Sequence, residues 1–190
     1  MAPATVTDTR ERILRATLDL IGSEGIAALT NRRVASAAGV SLGSLTYHFE
    51  SQVDLVRESL LLFVGEEVAR LERIEAELRS RHPSAEEVAG EVERIVREHP
   101  NRMQQLAETE LHLRAARDPE LRDASKRCFE AYEQVAEAGL EKLGVPGADR
   151  HARTIVALMY GLALRRLGTG DEDPTGLAEA LVTIGRGASR

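Results

Sequence analysis

The sequence is most informative first for what it has little of. Of its 190 residues one is cysteine (Cys128), none is tryptophan, and only three are phenylalanine and three tyrosine. A lone cysteine excludes an intramolecular disulfide framework and any cysteine-rich metal cluster. A redox role for Cys128 would need a basic neighbour that the sequence does not place. With so few rings, a cavity in this protein is expected to be mostly aliphatic. Long apolar runs are also missing: the longest strongly apolar uncharged run, Thr154 to Leu164, has 11 residues, short of the roughly 18 or more that span a bilayer. It reads as a buried helix, with no membrane partner. The residues before Arg10 form no basic-then-apolar block, so a secretory signal is not expected and the cytoplasm is the expected compartment. There is no GxSxG, HExxH, paired CxxC or phosphate-cradling glycine loop, and the five histidines are dispersed. No enzyme chemistry, metal or cofactor is therefore expected.

What is present suits a folded, water-soluble protein of one mid-sized domain or a small domain joined to a larger one. Hydrophobic residues make up 43% and charged residues 29%. The net charge of −6 is unevenly spread. Five arginines (10, 12, 15, 32 and 33) against three acids give residues 9 to 48 a charge of +2, and the rest of the chain −8. That division confines attraction for phosphate to one end.

Apolar residues recur with helical spacing and no sustained strand pattern appears, so the fold class is all-α, with about nine helices. The first should begin after Asp8 or Thr9, bury Ile13, Ala16, Thr17, Leu20 and Ile21, and stop between Gly22 and Gly25. Thr30 and Ser41 are placed to cap two short helices, and Ser51 with Asp54 opens a fourth in a capping-box pattern. That fourth helix, about 52–80, carries the stripe Val56, Leu60, Phe63, Leu71, Ile74 and Leu78 and would connect a domain over 1–50 to one over 51–190. Further helices are expected after Ser84, over about 101–117, from Asp118-Pro119 to about Leu143, over about 149–167, and from Asp173-Pro174 to near Gly185.

The informative stretch is Thr30 to Phe49, TNRRVASAAGVSLGSLTYHF. Ala35 and Ala38 are small enough for two helices to cross closely, and Gly39 stands where the chain must reverse. Val40 and Leu45 would fill the gap between the helices, and Phe49 belongs to the core. Ser41, Leu42, Gly43, Ser44, Thr46, Tyr47 and His48 are then left on an outer face that is short, uncharged and rich in hydrogen-bonding groups. Such a helix can enter the major groove, where each base pair shows its own donor and acceptor pattern. Arg32, Arg33 and the helix N-termini suit phosphate. The other reading of this stretch is a helical hairpin that only packs, and for His48 an internal cap.

The motif AxAAGVSxGxLxYHF resembles the N-terminal signature of TetR-family regulators, a likeness that covers about residues 9 to 57. The resemblance implies an N-terminal three-helix helix-turn-helix domain that binds double-stranded operator DNA, and a helical domain for a small-molecule effector and homodimerisation. It implies a ligand-responsive transcriptional regulator, and favours a repressor. Thr30, Arg32, Arg33, Ser41, Leu42, Gly43, Ser44, Thr46, Tyr47, His48 and Gln52 are the expected DNA contacts. Two positions depart from the family: Thr46 stands where an aromatic residue is usual and Gln52 where a lysine is, both of which commonly touch phosphate.

In the larger part, Met103, Leu106, Ala107, Glu110 and Leu113 share one stripe, so that Glu110 is an acid on an apolar face. A carboxylate there meets a ligand or pairs with an arginine, since burying it alone is costly. Phe63, Met103, Cys128, Tyr132 and Met159 join it as candidate pocket residues, with plain core packing as the alternative for each. Apolar residues nearly encircle the helix over 149–167, which then needs partners on several sides. Ile155, Leu158, Leu162, Leu177 and Leu181 are the expected dimer contacts. A helical adaptor that binds protein, and more remotely an enzyme, are the competing functions.

Overall fold

A computed structural model describes residues 6–81, 87 and 102–170. Its helices are α1 (Val6–Glu24), a 3-10 turn (Ile26–Ala28), α2 (Asn31–Ala38), α3 (Leu42–His48), α4 (Gln52–Ser80), α5 (Arg102–Ala115), α6 (Pro119–Lys142) and α7 (Ala148–Thr169). No strand occurs among the described residues. The chain is all-α, with seven α-helices among those residues rather than about nine. The two other expected helices, after Ser84 and after Pro174, lie outside the described residues.

The starts follow the local chemistry that the sequence announces. Thr30 accepts the Arg33 amide at 3.3 Å, Ser41 the Ser44 amide at 3.0 Å and Ser51 the Asp54 amide at 3.1 Å. Each hydroxyl satisfies one of the amides that a helix N-terminus leaves open. At α6 the Asp118 carboxylate takes the amides of Glu120 (3.1 Å) and Leu121 (3.4 Å) behind a first-turn proline.

The chain forms two compact units: residues 1–66 with 102–125, and residues 67–101 with 126–190. In the first, α1 lies against α2, α3 and α5. Ile13, Thr17 and Ile21 of α1 are fully buried with Val34, Leu45, Leu55 and Leu60. Leu14, which the expected stripe omits, is buried too, whereas Leu20 is only half-buried. Gly22 lets the end of α1 approach α5 closely: a Cβ there would stand 2.5 Å from the Met103 carbonyl oxygen. In the second unit Leu140, Val145, Ala148 and Ala152 form a core where α6 turns into α7, with Ala136 and Ile155 against it. Gly144 and Gly147 make that turn with φ of 71° and 66°, values that cost a side chain dearly.

Candidate DNA-binding interface

The turn between α2 and α3 is fixed from several directions. Gly39 adopts φ 64° and ψ 40°, and the Val40 amide returns to the Ala35 carbonyl at 2.9 Å, which closes α2 in a left-handed cap. Arg12 of α1 donates to the carbonyl oxygens of Ala38 and Gly39. Leu45 (1% exposed) and Phe49 (4%) then anchor the inner side of α3. Arg10 lies over the Phe49 ring, 5.3 Å from its centroid, and pairs with Glu58 of α4. A cation over an aromatic face adds a modest attraction to the packing.

The outer side of α3 is open. Tyr47 is 80% exposed, Leu42 is 43% exposed, and Ser41, Gly43 and Thr46 are exposed as well. Ser44 and His48 are half-buried, and the His48 ring meets Tyr47 edge-on at 5.3 Å. The structure therefore brings the expected α3 residues together on one uncharged, hydrogen-bonding surface about two turns long. A seven-residue helix held at both ends can lie in a groove with little to pay in ordering.

The flanking candidates divide. Arg32 is exposed and takes part in no ion pair among the described residues. Arg33 instead binds Glu24 and donates to the Ala28 carbonyl at 3.0 Å. The Thr46 hydroxyl bonds back to the Leu42 and Gly43 carbonyls at 3.2 and 3.1 Å, within its own helix. The Gln52 amide donates to the Leu29 carbonyl at 2.9 Å and so ties the first turn of α4 to the residue before the Thr30 cap.

The effector-side candidates fall into both units. In the first, Phe63 is buried, Met103 is 41% exposed with its backbone against Gly22, and Glu110 is half-buried. In the second, Cys128, Tyr132 and Met159 are buried. The Cys128 sulfur lies 3.9 Å from the Tyr160 hydroxyl, and Phe129 and Tyr132 place their rings 4.6 and 5.8 Å from that of Tyr160. Tyr132 donates its hydroxyl to Glu67 of α4, whose carboxylate also receives Arg70 through two bonds of 2.7 and 2.9 Å. The hydrogen bond to Glu67 raises the Arg70 pKa against the opposing effect of burial. On α7, Ile155, Leu158 and Leu162 are half-buried and Leu164 is 59% exposed. Leu177 and Leu181 lie outside the described residues.

The family pattern for bacterial regulatory proteins of the tetR family matches residues 13–58. That for the tetracyclin repressor-like C-terminal domain matches residues 83–186, more than half of the chain. The chain belongs to the TetR family. Proteins of this family are DNA-binding transcriptional regulators rather than enzymes. A TetR-family member from Streptomyces coelicolor A3 is 30% identical, over 93% of this chain and 98% of its own, with a TM-score of 0.67. The multidrug binding protein EbrR, solved with imidazole, is 31% identical over 92% of this chain and 93% of its own, with a TM-score of 0.65. The HTH-type transcriptional regulator YerO of Bacillus subtilis (strain 168), itself uncharacterized, is 28% identical over 78 residues, 41% of this chain and 27% of YerO. This chain thus covers well under two thirds of that curated relative.

In this TetR-family chain the sequence pattern singles out Glu110 but passes over Glu67, the carboxylate that is 8% exposed. The signal was present. Val56, Leu60, Phe63, Leu71, Ile74 and Leu78 are all buried, and their spacing leaves one gap, which Glu67 fills. Arg12 and Arg70 were passed over as well: Arg12 acts on carbonyls 26 and 27 residues away, and Arg70 pairs within one turn with the overlooked Glu67. Among the described residues no helix is long and apolar enough to cross a membrane, and no group of three His, Cys, Asp or Glu could hold a metal ion.

Proposed function

We propose that this regulator is a homodimeric repressor that leaves its operator when a small molecule binds among the helices beyond α3. The observation that carries the DNA side is the exposed, uncharged face of α3, with Tyr47 at its centre, on a turn held by Arg12 and Gly39. In this reading Ser41, Leu42, Gly43, Ser44, Thr46, Tyr47 and His48 meet base edges and nearby phosphates. Arg32, in no ion pair among the described residues, supplies a cation at the backbone. Arg33 exchanges an exposed ion pair with Glu24, a pair of little net worth, for a phosphate. Thr30 and Gln52 contribute mainly by holding the frame. Functionally, residues 1–50 read DNA, residues 51–190 sense and dimerise, and α4 connects them.

The cluster of Phe129, Tyr132 and Tyr160, tied to α4 through the bond from Tyr132 to Glu67, supports an effector with a flat or cationic group that rings can face. EbrR, solved with ethidium and with proflavin, accords with that choice. Cys128, Tyr132 and Met159 would border such a ligand. The half-buried stripe Ile155, Leu158 and Leu162 with the exposed Leu164 supports α7 as part of a two-fold interface, and Gly161, with open space beside it, would admit a second helix closely. Two recognition helices per dimer then address two half-sites. The effector need favour the released state by only about 1 to 3 kcal/mol to change DNA affinity roughly 5- to 150-fold.

Selection of bound fragments from the source genome, followed by footprinting, tests the proposal. Enrichment of one sequence with two related half-sites is the expected result, and flat recovery of fragments at moderate salt would favour a protein-binding adaptor.

A further inference from the structure

In the first unit, beside the first turn of α4, lies an open cleft of about 430 Å3. Two large aliphatic side chains at its edge are left to water: Val53 is 58% exposed and Leu113 61%. Val56 and Leu121, both buried, continue the apolar wall. Exposed aliphatics are ordinary when scattered, but two that line one concavity with an apolar floor form a surface for a ligand of the size that such volumes hold.

The charged lining is unevenly committed. Arg57 donates to Asp118 at 2.9 Å and to Asp54 at 3.0 Å, so its charge and that of Asp118 are spent on each other. Arg114 and Arg117 enter no ion pair among the described residues, and the Arg114 Nε is buried without a hydrogen-bond partner. Glu110, one turn before Arg114 on α5, enters none either. Two uncommitted guanidinium groups and one uncommitted carboxylate therefore border the cleft. The balance is cationic, and a buried N–H with no acceptor is a cost that a ligand oxygen would remove.

We propose that this cleft binds a small organic carboxylate with an apolar body, the carboxylate on Arg114 and Arg117 and the body along Val53 and Leu113. Guanidinium groups match a carboxylate in both charge and fork geometry. The site shares no residue with the Glu67 cluster, so it is a second ligand site rather than another description of the first. Val53 belongs to the same turn of α4 as Gln52, whose amide holds Leu29 in front of α2. Occupancy therefore acts on the frame of the DNA reader.

Calorimetric titration of the full chain with octanoate, octanol and acetate tests the assignment. Octanoate should bind saturably, with octanol and acetate each weaker by about tenfold or more, because each lacks one half of what the cleft recognises. Arg117→Gln and Leu113→Gln alter exposed side chains, so they should leave the thermal transition in place while weakening octanoate. Three results would overturn the proposal: no saturable heat with octanoate, equal binding of octanol, or octanoate affinity unchanged in both variants, which would place the ligand elsewhere.

Discussion

Arg12 donates from Nη2 to the Ala38 carbonyl oxygen at 2.6 Å, across 26 residues of sequence, and the same nitrogen reaches the Gly39 carbonyl at 3.1 Å. The last carbonyls of a helix carry partial negative charge and lack internal donors, so a guanidinium is well matched to them. This contact makes α1 a support for the turn that aims α3, rather than only a third wall of the core.

Replacing Arg12 by alanine should lower the unfolding free energy by about 1 kcal/mol. It should also weaken operator binding by more than that loss explains, because the turn is freed while α3 keeps its sequence. Urea unfolding read beside DNA titration separates the two. Equal DNA affinity in the variant would reduce Arg12 to a surface residue.

Two glycines offer a contrast. A methyl at Gly22 would press on the Met103 backbone carbonyl, whereas one at Gly43 meets nothing nearer than the Ser41 hydroxyl at 3.8 Å. Gly22→Ala should cost roughly 1 to 3 kcal/mol through overpacking. Gly43→Ala should raise the unfolding free energy by up to about 1 kcal/mol through helix propensity, and the melting temperature with it, while it lowers operator affinity by adding bulk to the reading face. Melting curves that move the same way in both variants would contradict this account.

Much of this molecule was legible because its signals are local. The caps at Thr30, Ser41, Ser51 and Asp118 lie within three residues of the amides they accept, and the α4 stripe repeats within one helix. What escaped notice is long-range. The Arg12 tether spans 26 residues, and the bond from Tyr132 to Glu67 spans 65. The fold also gathers Phe129, Tyr132 and Tyr160, a clustering of rings far apart in sequence that a count of rings does not show. Gln52 stands where the family's usual lysine touches phosphate, and the bond from its amide to the Leu29 carbonyl, 23 residues away, is another contact that no local pattern marks.

The Glu67 cluster predicts unequal costs for two conservative changes. Glu67→Gln removes the charge that pairs with Arg70, and should destabilise by about 2 kcal/mol, below the 3 to 5 of a fully buried pair because Arg70 keeps some access to water. Tyr132→Phe deletes a single donor and should cost about 1 to 2 kcal/mol. Chemical unfolding of both checks the order, and a larger loss for Tyr132→Phe would mean that the carboxylate is not the centre of the cluster.

His112 supplies a pH dependence. Its Nδ1 lies 2.7 Å from the Ser125 hydroxyl, and burial pushes its pKa down to about 4 from 6.5. The folded state therefore prefers the neutral ring. Below pH 6.5 the unfolded chain takes up a proton that the folded chain refuses, so stability falls as pH drops from about 6.5 towards 4, by at most about 3 kcal/mol. His112→Asn should flatten that part of the stability profile relative to the parent chain. Superimposable slopes would show that the histidine does not contribute.

The account turns on whether the outer face of α3 reads bases, and Tyr47 is its most exposed member. The direct measurement is the affinity of Tyr47→Ala for the selected operator and for a scrambled duplex of equal length, by fluorescence anisotropy at fixed salt. The account predicts a loss of about tenfold or more on the operator, little change on the scrambled duplex, and an unaltered oligomeric state. Undiminished operator affinity in that variant would contradict it.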